Sequence, residues 1–143
     1  TVRRSLSMYT AKMLVHAFIA SRLDYCNSLM FGTTNLVMRK LQAVQNAAAR
    51  LITGLGRYEH ITPALIDLHW LPVHQRIDYQ IALLTYKSIH GTGPQYLKEY
   101  CTPISAANQH DQLRSAPRGD LIRHRTKTRR FGSRSFRHSG PSV

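Results

Sequence analysis

Seven acidic side chains stand singly along the chain, at Asp24, Glu59, Asp67, Asp78, Glu99, Asp111 and Asp120. Nucleotidyl transfer by two metal ions needs carboxylates that converge on ions about 3.5–4 Å apart, and no two of these residues are adjacent. Helix caps and solvated helix faces account for such scattered charges better. Histidine is more plentiful, and His60, His69 and His74 fall close together. Zinc sites draw on tight pairs such as CxxC or HxxxH, and neither spacing occurs. A GxSxG elbow for a nucleophilic serine and a GxxxxGK loop for phosphates are absent as well. The sequence therefore predicts no catalytic residue, no metal ligand and no cofactor.

Basic residues make the stronger pattern. Arg123, Arg125, Lys127 and Arg129 alternate, with Arg130 following. In an extended strand the alternating residues share one face at intervals of about 6.6 Å, a usable ladder for backbone phosphates. Thr126 and Thr128 would face the other way as hydrogen-bond donors, with Phe131 or Phe136 near enough to stack. A solvated tail, or a patch of the nuclear-localisation kind, is the plainer reading of the same run. Trp70, the only tryptophan, sits between Leu68 and Leu71 and reads as a core anchor, with stacking on a base as the alternative.

The whole composition leans the same way. Twenty Lys and Arg oppose seven Asp and Glu, for a formal charge of +13. Residues 1–100 carry eleven basic and five acidic side chains, net +6; residues 101–143 carry nine and two, net +7. Such an excess favours polyanions, nucleic acid before anionic lipid. A hydrophobic share of 43% over 143 residues suits one domain with an appended tail. The longest apolar run, Met13 to Ala20, is interrupted by His16 and falls short of the roughly 20 residues a bilayer span requires. The opening TVRRSLSMYT has neither a signal core nor a cleavage site. Membrane attachment and secretion are not expected; a nuclear or cytoplasmic location is. Cys26 and Cys101 are then expected as reduced thiols.

Helical periodicity organises the first hundred residues. Residues 8–31 space Leu14, Phe18, Tyr25 and Leu29 as a stripe widened by Ile19 and Leu23, with Gly32 as the stop. A second helix is capped by Thr33, Thr34 or Asn35 and runs to about Thr53, with Gly54 beyond it. Its inner side is predicted as Val37, Leu41, Val44, Ala48, Leu51 and Ile52, and Ala47, Ala48 and Ala49 suit close helix contact. Thr62 and Pro63 signal a short helix ending near Leu68. Pro72 opens another, lined by Ile77, Ile81, Leu84 and Ser88 and closed by Gly91. Residues 94–100 form one more turn or two. From Cys101 the periodicity dissolves into a basic, largely irregular arm, with a short hairpin compatible with residues 120–136.

Four blocks, LVHAFIASRLDYCNSLMFG (14–32), LQAVQNAAARLITG (41–54), YEHITPALIDLHWLPVHQRIDYQIALLTYKSIHGTGPQYL (58–97) and RRFGSRSFRHSGPSV (129–143), together resemble one region of LINE-type, jockey-like non-LTR retrotransposon reverse transcriptases. In that family the region follows the palm, where a thumb-like helical bundle grips the template–primer duplex. The family's Tyr-x-Asp-Asp polymerase signature has no counterpart here, since Asp24-Tyr25 and Asp78-Tyr79 run in the wrong order. The resemblance thus implies a piece of an RNA-directed DNA polymerase, lacking both its catalytic site and the upstream endonuclease. Relatives usually continue into a Trp-Asn-Ser-Leu-Pro stretch, so the chain is expected to be cut at both ends.

The expectation is an all-α fold, with a thumb-like bundle over residues 1–100 and a basic arm over 101–143. Its expected work is non-specific contact with RNA, DNA or an RNA–DNA hybrid. Arg39, Lys40, Arg50 and Arg57 are the contacts expected around the second helix, and residues 123–130 are the clamp. The palm of the parent polymerase is the protein partner implied. The alternatives are a non-catalytic protein-interaction module and a decayed element copy without selected function.

Overall fold

A computed structural model describes residues 6–106, 119–128 and 131–143. The fold is all-α. Among the described residues β pairing is confined to one antiparallel bridge, between Pro103 and Leu121. The chain separates into two compact units, one made of Thr1–Asn27 with Thr33–Arg76 and the other of Ser28–Gly32 with Ile77–Val143.

The first unit begins with α1, Met8–Val15, whose start is fixed by Ser7: its Oγ accepts the Thr10 N–H at 3.1 Å. The helix passes through a π-helical turn, His16–Ala20, into α2, Ser21–Asp24. Ser21 donates its hydroxyl to the Ala17 carbonyl at 2.5 Å within that stretch. The helix ends at Asp24 rather than near Gly32. Tyr25 turns extended, Cys26 adopts a φ of +53°, and Arg76 Nη1 holds Asp24 Oδ1 at 3.1 Å.

The face presented by this helix also differs from expectation. Leu14, Phe18, Tyr25 and Leu29 are exposed, and Ala11, Val15 and Ala20 are buried instead. The π turn takes in an extra residue, so from His16 onward a stripe counted at 3.6 residues slips out of register; before it, Ala11 and Val15 take the inner side and leave Leu14 outside. Small alanines then set the approach to α3, Asn35–Thr53. Val15 packs with Ala48 and Ile52, and Ile19, Leu68 and Trp70 close over them. Met8, Lys12, Ile52 and Thr53 also line one cavity between these helices.

Gly54, in the left-handed region at φ +79°, ends α3 at the stop that the sequence predicts. Which side of α3 is covered was less visible. Val37, Val44 and Leu51 are exposed, whereas Gln45 and Ala49 are completely buried beside Ala48 and Ile52. Gln45 is buried because its bonds are satisfied. Its Nε2 donates to the Leu71 carbonyl at 2.8 Å, and its Oε1 accepts from Gln42 Nε2 at 2.8 Å. Gln42 Oε1 also accepts the Val73 N–H at 2.9 Å. These two glutamines fasten the corner that follows α4, Thr62–Asp67, and leads into α5, Val73–Ile89.

The second unit is built on α5 from Ile77 onward. Ile77, Ile81 and Ser88 are buried on one face as the spacing predicts, with Thr85 joining them. Gly91, at φ +72°, closes the helix, and α6, Gln95–Lys98, follows. Among the described residues beyond Cys101, a short backbone pairing forms. Backbone bonds link Ile104 N–H to the Asp120 carbonyl and Ile122 N–H to the Thr102 carbonyl, both at 2.9 Å. The pairing joins residues 102–104 to 120–122, and among the described residues of 120–136 no hairpin pairing occurs. A 3-10 turn, Gly132–Arg134, leads to α7, Phe136–Ser139, where Ser139 and Gly140 are buried. The described residues after 100 fall in the same compact unit as α5.

Candidate nucleic-acid interface

The cations expected to touch nucleic acid fall into three states. Arg39, Lys40 and Arg57 are exposed, the first two in the second turn of α3 and the third in the loop after it. A helix of 19 residues is about 28 Å long, and this one carries no acidic residue to neutralise them. Arg125 and Lys127 are exposed in the same way in the second unit.

Arg50 is differently placed. Its Nε donates to the Gly56 carbonyl at 3.1 Å and its Nη2 to the Glu59 carbonyl at 2.8 Å. The side chain closes the loop between α3 and α4, and its donors toward that loop are committed. Arg123 is intermediate: it is exposed, yet its Nε donates to Ser142 Oγ at 2.8 Å. Arg129 and Arg130 lie outside the described residues.

The alternating ladder predicted for residues 123–129 is not an extended strand in its described part. Thr128 accepts the Gly132 N–H through its hydroxyl at 2.9 Å, and a Cβ added at Gly132 would lie 2.7 Å from Thr126 Cβ. The two threonines expected as free hydrogen-bond donors on the opposite face lie against Gly132 instead. A glycine is needed there for close approach, and neighbouring phenylalanines gave no hint of that requirement.

Sequence reasoning missed two further arginines with defined work. Arg134 Nε donates to the Phe31 carbonyl at 3.2 Å and Nη2 to the Leu29 carbonyl at 3.1 Å. Its stem also covers Gly32, where a Cβ would meet Arg134 Cγ at 3.0 Å. Arg137 lies 6.0 Å from the Tyr100 ring centroid and 3.3 Å from His124 Nδ1. Partners so distant in sequence leave no local signal.

The remaining candidates for chemistry are structural in placement. Trp70 packs against the Val15–Ala48–Ile52 cluster and also lines an open cavity. Cys26 is exposed and Cys101 buried, both as free thiols. Burial pushes the Cys101 thiol above its ordinary range, and a hydrogen bond with Ser88 partly offsets that effect. Among the described residues no three His, Cys, Asp or Glu side chains stand close enough to share a metal ion. No helix among them is long and apolar enough to cross a membrane.

These features define a helical, strongly cationic chain in which Arg39, Lys40, Arg57, Arg125 and Lys127 are exposed to solvent. No protein-family model, curated protein or solved structure matches it.

Proposed function

We propose that this chain is the template–primer-holding part of a LINE-type reverse transcriptase, a thumb-like region that contacts nucleic acid without supplying the polymerase site. The observation that carries the reading is the exposure of Arg39 and Lys40 on a long helix free of acidic residues. Arg57 in the same unit, and Arg125 and Lys127 in the second unit, are exposed as well. Such groups meet backbone phosphates and release counterions, which gives affinity with little base selectivity. RNA, DNA and their hybrid are the partners this chemistry suits.

Fluorescence anisotropy with a labelled RNA–DNA hybrid tests it. Micromolar-scale binding that weakens steeply with salt is expected. Replacement of residues 123–130 by alanine should weaken it further. Absence of a complex at low salt, or unchanged affinity after that replacement, would sink the reading.

A protein-interaction role is the second reading, and a specific observation favours it. Phe18 is 72% exposed, Val44 47% and Leu14 41%, apolar side chains of the kind a partner surface covers. The palm of the parent polymerase is the cover that the sequence resemblance suggests. On this reading Phe18→Ser and Val44→Ser abolish binding of a hydrophobic dye while helicity is retained. Undiminished dye binding by the double variant would rule the surface out.

A further inference from the structure

Away from the cations assigned above, the first unit is cleft between α1 and α4 by two adjoining cavities of about 360 and 550 Å³, volumes typical of small-ligand sites. Tyr9, Lys12, Met13 and His16 follow one another at three- and four-residue spacing and form one wall. Asp67, His69 and Trp70 form the opposite wall, above Ile52. Lys12 and Asp67 line both cavities and so stand at their junction.

The backbone at His69 gives an independent reason to look here. α4 ends with the Trp70 N–H on the Leu65 carbonyl at 2.8 Å and the His69 N–H on the Ile66 carbonyl at 2.9 Å. This pairing needs a left-handed residue at the turn, a place that glycine fills most cheaply. α5 ends on the same pairing, Thr92 N–H to the Lys87 carbonyl at 2.9 Å, and uses Gly91 at φ +72°. α3 ends on Gly54 at φ +79°. α4 alone of these three places an imidazole there, with His69 at φ +54°. A side chain held in a strained conformation on the wall of a cavity points to a use for that side chain.

We propose that this cleft binds a nucleotide, with its base against Trp70 and its phosphate at Lys12 between the imidazoles of His16 and His69. The chemistry on the walls selects such a ligand. An indole offers a stacking surface, an ammonium offers an anion site, and both border one carboxylate. Asp67 accepts hydrogen bonds, so it favours bases with an exocyclic amino group, adenine above uracil. The reading of nucleic-acid contact enters only in naming where the nucleotide comes from. It is either a free molecule or an unpaired residue of a strand.

Trp70 is the only tryptophan, so its emission reports the cleft directly. Titration with AMP, adenosine, UMP and a short single-stranded oligoadenylate tests the assignment. A saturable change is expected with AMP, with adenosine and UMP at least about tenfold weaker. Lys12→Gln should weaken AMP to the level of adenosine. His69→Gly should raise Tm by relieving the backbone and yet weaken AMP, a pairing of effects that a purely structural histidine would not give. A response to oligoadenylate alone, lost in Lys12→Gln, also supports the cleft and makes the strand its source. An unchanged Trp70 emission with every ligand overturns the proposal, as does a response indifferent to Lys12→Gln. Hybrid binding measured on Lys12→Gln separates the two readings: if it persists while the cleft is silent, only the cleft assignment fails.

Discussion

Arg39 and Arg50 lie on the same helix, yet they do different work. Arg39, with Lys40, is exposed in the second turn of α3. Arg50, one turn from the helix end, spends its guanidinium on two carbonyls of the loop that follows. The second unit repeats the contrast: Arg125 and Lys127 are exposed, whereas Arg134 holds the carbonyls of Leu29 and Phe31. A formal charge of +13 therefore overstates the charge free to meet a polyanion. Helix and loop ends leave carbonyls without intrahelical partners, and arginine, with five donors in a fixed fork, can satisfy two at once. Basic composition here serves folding as well as binding, and only geometry separates the two.

The largest test of that separation neutralises the solvated set together. Arg39→Gln, Lys40→Gln, Arg125→Gln and Lys127→Gln combined should lower affinity for a nucleic-acid duplex by about 100-fold or more at low salt. The log–log salt slope should become shallower by about 0.9 for each phosphate that is no longer neutralised. Thermal unfolding should be nearly unaffected. A fall in Tm with unchanged affinity would reverse the division drawn above.

Arg134→Gln comes next and should do the opposite. Losing two charge-assisted bonds to carbonyls should cost about 2 kcal/mol of stability, read as a lower denaturant midpoint. The salt slope of binding by the folded fraction should stay the same. Arg50→Gln should follow in the same direction with a smaller loss, about 1 kcal/mol, because its bonds are more exposed. If either variant flattened the salt slope as much as a solvated cation does, its carbonyl bonds would not be its main role.

The same contrast explains how much could be read in advance. Helix ends were legible because they depend on local chemistry: Gly54, Pro72 and Gly91 mark boundaries that the fold uses. Helix faces were less so. The π turn at His16–Ala20 shifts the register, and Phe18 comes to the outside where simple counting put it inside. Gln45 was missed because a polar residue is buried only when distant partners satisfy it, here the Leu71 carbonyl and Gln42. The site divided along the same line. Arg39 and Lys40 are read from their place on the polar side of a helix, but the commitments of Arg50 and Arg134 depend on loops that fold back to them. His69 carried a signal only through its backbone, since a left-handed helix stop is usually filled by glycine. Recognising it required knowing that α4 ends there.

Arg123 is the residue on which the comparison is finest. It is exposed like the solvated cations, yet its Nε is bound to Ser142 Oγ at 2.8 Å. A hydroxyl oxygen at the surface is a weaker hold than two carbonyls, because water replaces it at little cost. Arg123→Gln should therefore lower stability by only about 0.5 kcal/mol and lessen the salt slope by less than one phosphate's worth. Ser142→Ala should free the guanidinium and restore that missing part of the slope. If Ser142→Ala instead left binding unchanged and lowered the denaturant midpoint as far as Arg134→Gln does, Arg123 would belong with the arginines that hold the fold. Exposure alone would then be a poor guide to which cations are free.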